Sequence, residues 1–236
     1  TGTVTGGAAL WLDYTNESGS RLDDNRALIL AGGSVVLNGG SEDVEYVGST
    51  IVDSGANSIY AGANGGGGTR NRISLGTISH NISGTLDITV AVSGIASTTT
   101  TNTNGILGGW ATMGGGSSWA MGSADGSETN ITNTGGTDRS SSATWAENLN
   151  VNVTASESNI ASRTINALRI RDVGEGIALA DDATLTITSG GIIGANSNQY
   201  IDGGSLTSGS GALYVHTPQT LTIGSAIVDS GDGAVA

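Results

Sequence analysis

The chain has 236 residues, 40 of them Gly, with one Pro, no Cys and no Phe; its eight positive side chains, all Arg, stand against 21 carboxylates for a formal charge of −13. So acidic a chain, without Lys, lacks the basic patch that phosphate neutralisation needs, which argues against a nucleic-acid partner. No apolar run approaches the ~18–20 residues of a membrane span, and the absence of Cys excludes disulfide scaffolds and thiolate metal sites.

Taken along the chain, short β-branched bursts alternate with turn residues. Strands are predicted at Leu28–Leu30, Val35–Leu37, Val44–Val47, Ile51–Val52, Ile73–Leu75 and Leu86–Val90. They resume at Leu149–Val153, Leu168–Ile170, Ile177–Leu179, Leu185–Ile187, Leu213–Val215 and Leu221–Ile223. Alternation turns Leu, Ile and Val to one face and Asn, Thr, Arg or Asp to the other. No segment keeps the i, i+3, i+4, i+7 spacing of an amphipathic helix, and the grouping of apolar residues speaks against a solvated coil.

Strands of three to five residues with few aromatics suit a narrow core. A sandwich would call for longer strands and bulkier filling. The expected fold is therefore all-β: a parallel β-helix or β-solenoid of short strands with a Gly-rich insertion, at roughly 20–25 residues per coil and about ten coils. The sequence Ile51-Val52-Asp53-Ser54-Gly55 recurs at Ile227–Gly231, each copy some 20 residues after a Gly-Gly-Ser (Gly32–Ser34 and Gly203–Ser205), which reads as a duplicated coil.

Two stretches break the rhythm. Ser97–Asn104 is Thr-rich and reads as a loop or linker, and 105–142 is Gly/Ser/Thr-rich and carries Trp110 and Trp119. The expected organisation is a solenoid segment over 1–104, an insertion or junction over 105–142, and a second solenoid segment over 143–236. Beginning at Thr1 without an initiator Met or signal peptide, the sequence reads as a processed product or a piece of a longer chain. The terminal segments 1–12 and 221–236 read as caps or docking strands.

Asn104-Gly105-Ile106-Leu107-Gly108-Gly109-Trp110-Ala111-Thr112, followed by Ser118-Trp119-Ala120, forms a distinctive block. It resembles the "NGILGGWAT…WA" block of giant bacterial surface proteins with autotransporter-associated β-strand repeats, of the planctomycete and verrucomicrobial type. Ser20-Arg21-Leu22-Asp23-Asp24 with Ala27–Leu30, Thr184–Gly191 and Leu206–Ile227 are similar to further repeat strands of that family, so the likeness runs through most of the chain in order. The resemblance implies an exported, extended β-solenoid. The strand "L.K.G.GTL.L.G" that characteristically comes next does not follow Ala236. No catalytic residue comes with the family.

The residues with chemistry are few and scattered. His80 and His216 lack the spacing of a zinc site and read as solvent-facing or turn histidines, and no G-x-S-x-G elbow supports a triad. The carboxylate pairs Asp23-Asp24, Glu42-Asp43 and Asp181-Asp182 are candidates for Ca²⁺ or for glycoside-cleaving acids, yet adjacent strand residues point to opposite faces. They read instead as solvated turns, and no cofactor is expected, with Ca²⁺ as the one ion the composition admits. Arg70/Arg72 and Arg169/Arg171 could serve a lyase as base, but read more simply as charge matches to acidic neighbours on the next coil. Trp11, Trp110, Trp119 and Trp145 are the candidate interface or ligand-stacking residues, and Asn16, Asn81, Asn130 and Asn152 head N-x-[ST] sequons.

These readings converge on a non-enzymatic extracellular structural protein at a bacterial cell surface: a module of a stalk, fibre or filament. Its partners would be further copies or neighbouring repeats of a longer chain. An adhesin for surface glycans or other cells is the first alternative, and a β-helix polysaccharide lyase or hydrolase the second.

Overall fold

The computed structural model describes residues 2–14, 19–39, 44–62, 71–91 and 94–229. Glu42-Asp43, Arg70, Asn16 and the end of the Ile227–Gly231 echo lie outside them. The chain is a parallel β-solenoid of about nine turns; among the described residues the sole helical piece is a 3₁₀ turn at Ser142–Thr144. It divides into two compact units, one of Thr1–Thr103, Met113–Gly115 and Ala120–Thr132, the other of Asn104–Thr112, Gly116–Trp119 and Asn133–Ala236.

Unit 1 opens with β1 (Gly2–Thr5) and β2 (Ala9–Tyr14), and three coils of three strands follow. These are β3 (Ala27–Ala31), β4 (Ser34–Gly39) and β5 (Val44–Tyr46); β6 (Ser49–Val52), β7 (Gly55–Ala61) and β8 (Asn71–Ser74); and β9 (Thr77–His80), β10 (Gly84–Val90) and β11 (Gly94–Thr98). Strands stack in parallel on three faces, β1-β3-β6-β9, β2-β4-β7-β10 and β5-β8-β11. The reason is visible in the second face. Leu10, Val35, Ile59 and Ile88 are register partners from coil to coil, and the last three have no exposed surface. Burying each such side chain stabilises by about 1.5–3 kcal/mol, an upper estimate because the unfolded chain is itself partly collapsed.

The stretch after β11 carries β12 (Ala111–Met113), β13 (Ser118–Met121), β14 (Thr129–Asn130) and β15 (Thr132–Thr134). β14 runs antiparallel to β11, with Ser97 opposite Asn130. The Thr-rich tract is thus not wholly loop: Ser97 and Thr98 complete β11 and are fully buried. Their hydroxyls explain this, since Ser97 donates to Glu128 at 2.7 Å and Thr98 to the Gly76 carbonyl at 2.6 Å.

Unit 2 holds β16 (Thr137–Arg139), β17 (Asn150–Val153), β18 (Glu157–Ile160), β19 (Arg163–Ile170), β20 (Gly176–Leu179) and β21 (Thr184–Gly194). It continues through β22 (Gln199–Asp202), β23 (Ser205–Ser208), β24 (Tyr214–His216), β25 (Leu221–Ile223) and β26 (Ala226–Ile227). The long strands β19 and β21 turn a corner within themselves, the register shifting between Ile165 and Ala167. β23 then extends the first half of β21 and β24 the second half, while β18-β20-β22-β25 form the remaining face. Val151, Leu168 and Ile192 stack in one fully buried column.

The echoed sequence occupies comparable places only in part. Ile51-Val52 lies in β6 after the Gly48 corner, and Ile227 lies in β26 after Gly224. Gly32-Gly33, however, leads into β4, which does not stack on β6, whereas Gly203-Gly204 leads into β23, on which β26 does stack. The two landmarks therefore do not mark one duplicated coil.

Candidate functional site

Carboxylates are the first groups to place, because buried charge is costly unless hydrogen-bonded. Glu45, on β5, has no exposed surface. It accepts the Tyr14 hydroxyl, the Ser20 hydroxyl at 2.7 Å and the backbone N–H groups of Arg21 and Leu22, each at 2.9 Å. Burial above all, then the Glu45 carboxylate, drives the Tyr14 phenol far above its ordinary pKa, so it remains a donor. The Arg21 guanidinium lies 4.8 Å from the centre of the Tyr14 ring.

The same device recurs. Glu157 accepts from the Ser142 N–H and hydroxyl at 2.5 and 2.8 Å, and Glu175 accepts from the N–H and hydroxyl of Ser156, both at 2.5 Å. Glu128 takes the Ser97 hydroxyl, and Arg72 approaches it at 3.8 Å. Each glutamate staples a serine 15 to 31 positions earlier, a reach of about one coil. Buried amides do similar work at the corners. Asn57 Oδ1 accepts the N–H groups of Gly32 and Gly33 at 2.7 and 3.1 Å, and Gln199 Nε2 donates to the carbonyls of Ile170 and Asp172 at 2.9 Å.

The Trp-bearing block is a packing device of unit 2. A Cβ built on Gly109 would lie 2.4 Å from the Gly191 nitrogen, so only two glycines can pass here. The Trp119 ring closes over Gly191 and is fully buried with Ile106, Ala167 and Ile193. The His216 and Trp119 rings stand perpendicular with their centres 6.0 Å apart, and His216 Nε2 is 2.8 Å from the Gly109 carbonyl oxygen. Trp110 and Trp145 are also buried; of the four tryptophans singled out by sequence, Trp11 presents its ring to solvent, with 63% of its surface exposed.

The remaining sequence candidates separate. His80 and His216 are half-buried rather than solvent-facing, and burial lowers the His80 pKa while its Nε2 contact with the Gly84 carbonyl at 2.8 Å partly offsets this. Arg171 pairs with Asp138 at 3.2 Å and with its sequence neighbour Asp172 at 3.0 Å, whereas Arg169 donates to the neutral Asn152 side chain and to the Ser117 carbonyl, so of this pair Arg171 is charge-matched and Arg169, among the described residues, is not bonded to a carboxylate. Asn152 is 3% exposed and bonded to Asp138, so that sequon is closed in the fold. Asp181 and Asp182 sit exposed in a turn. Asp23 pairs with Arg26 at 3.3 Å on the wall of an open cleft of about 490 Å³ that Arg21 and Val47 also line. Among the described residues no three His, Cys, Asp or Glu side chains gather as metal ligands.

On the outer surface of the second face of unit 1, Trp11, Val36, Tyr60 and Thr89 are register partners and form one row across four strands. Neither the alignment of Trp11 with Tyr60 nor the glutamate staples was visible in the sequence. The signal that could have found the staples is a Ser placed about one coil before a lone Glu. Comparison with protein-family models, with curated proteins and with solved structures gave no match for this chain.

Proposed function

We propose that the chain is a non-enzymatic structural module of a bacterial cell-surface stalk or fibre, exposed outside the cell and built to join end to end. The observation that carries this reading is the use of its carboxylates: Glu45, Glu128, Glu157 and Glu175 are spent in binding one coil to another through serine hydroxyls and backbone N–H groups. A catalytic carboxylate needs a free face toward a substrate; Glu45, Glu157 and Glu175 accept from their own backbone, and Glu128 is held by the Ser97 hydroxyl with Arg72 3.8 Å away. The likeness of the Trp block to autotransporter-associated repeat proteins supports the surface location.

β1 and β2 stand at the ends of their sheets, and strand edges of that kind accept a further parallel strand through main-chain hydrogen bonds. The partner in this reading is the neighbouring repeat of a longer chain or a second copy. Sedimentation velocity across a wide concentration range tests it. A ladder of species that lengthens with concentration is expected. A single monomeric species at every concentration would contradict end-to-end assembly.

A further inference from the structure

From the row on the second face of unit 1 we infer a binding platform for a neutral, linear polysaccharide, with Trp11 and Tyr60 as its stacking surfaces. This goes beyond the structural role and does not depend on assembly. The strands of that face are parallel and spaced ~4.8 Å, so Trp11 on β2 and Tyr60 on β7, two strands apart, lie roughly 10 Å from each other. Val36 sits half-buried between them, a low saddle separating two rings.

The Tyr60 ring is laid down on the sheet. A Cβ built on Gly62 would come within 2.3 Å of Tyr60 Cε1, so the ring covers the bare backbone of Gly62. Its outer side remains open, with 41% of the residue exposed, and Trp11 is more open still. Two exposed aromatic surfaces in one row contribute little to the core, whose side chains point the other way.

What such a row can hold follows from its borders. One flank is polar and uncharged until its end, through Ser34 and Ser58 to Asp87, and the other carries Asp13 and Asn38. A pyranose chain offers apolar C–H faces to aromatic rings and hydroxyls along its sides, and the ring faces are the electron-rich surface such C–H groups seek. Carboxylate, amide and hydroxyl groups are the partners sugar hydroxyls require. No Arg lies in these rows, and carboxylates border both flanks, so a polyanionic glycan would meet only repulsion. A second protein is a poorer fit, because an apolar strip one residue wide falls well short of the ~800 Å² per partner of a stable interface. The row crosses the strands, so the glycan would run along the direction of coil stacking.

The test is titration of the intact chain with cellohexaose, chitohexaose and mannohexaose, with oligoalginate as the anionic probe, followed by calorimetry and Trp fluorescence. At least one neutral hexasaccharide is expected to bind and alginate to fail. Trp11→Ala and Tyr60→Ala should each weaken binding about tenfold, and Tyr60→Phe should retain it. Gly62→Ala should weaken binding with the ring still present, because the new methyl lifts the far end of a side chain that can move. All four variants should melt with the parent, which separates loss of the platform from loss of the fold. Absence of binding by every neutral probe, preference for alginate, or neutral binding that survives the Trp11→Ala/Tyr60→Ala double variant would each overturn the proposal.

Discussion

Replacing Gly109 by Ala isolates the closest backbone approach in unit 2. The added methyl would lie 2.4 Å from the Gly191 nitrogen, 2.5 Å from the Ser189 carbonyl oxygen and 2.6 Å from the Gly191 Cα. All three are main-chain atoms of β21, which cannot swing aside as a side chain can. Overpacking of this kind costs ~1–3 kcal/mol and more when backbone must move; with three backbone contacts well inside van der Waals distance we expect at least about 3 kcal/mol. At ~2–4 °C per kcal/mol for a chain of this length, the melting transition falls by about 6–12 °C. Gly105→Ala is the control. Gly105 has φ +84° and no atom nearer than 3.7 Å, so it meets only the left-handed backbone cost of ~1–2 kcal/mol. Calorimetry with Trp fluorescence reads both variants, since Trp119 rests on Gly191. A Gly109→Ala protein that melts no lower than Gly105→Ala would refute the close-packing account of the Trp block.

Three further outcomes follow from the same geometry. Glu45→Gln replaces one of two acceptor oxygens by an NH2 donor that must then face one of the two N–H groups, and should cost unit 1 ~1–3 kcal/mol in denaturant titration; unchanged stability would mean the buried carboxylate is not a staple. Trp119→Ala should cost ~3–5 kcal/mol, whereas Trp11→Ala, at a side chain 63% exposed, should leave the denaturation midpoint in place. Acidification should destabilise in two stages. His80 is held below its usual pKa by burial, so the unfolded chain takes the proton first; its contribution is full above about pH 6.5 and erodes as the pH falls, and His80→Gln should flatten that limb. Glu128 is held low chiefly by the Ser97 hydroxyl; its contribution is present above the ordinary glutamate pKa and is lost as pH falls through the lower folded value, a limb Ser97→Ala should shrink.

The strands were legible because period-two alternation is a local property. Val35, Ile59 and Ile88 lie far apart in sequence and meet only by stacking from coil to coil. Where alternation misled, a polar group had an inward task. Val44-Glu45-Tyr46 reads as apolar residues inside and the carboxylate outside, yet Glu45 is buried and Tyr46 is 43% exposed. The donors at Tyr14 and Ser20–Leu22 decide this, and no window around Glu45 contains them. β7 was missed because Gly55-Ala56-Asn57 looks like a turn, although Asn57 points inward to cap the Gly32-Gly33 corner. The Trp block was visible as a motif, but its meaning depends on Gly191, which lies on β21, 72 positions after Trp119 and outside the motif. Adjacent carboxylate pairs drew attention by sequence, while the engaged glutamates are single and find their serines one coil away.

The most direct measurement is cryo-electron microscopy of the concentrated protein together with diffraction from any aligned fibres. The account predicts filaments whose coils repeat at ~4.8 Å along the fibre axis, the spacing of parallel strands joined edge to edge. Dispersed single particles at every concentration, or filaments lacking that axial repeat, would contradict it.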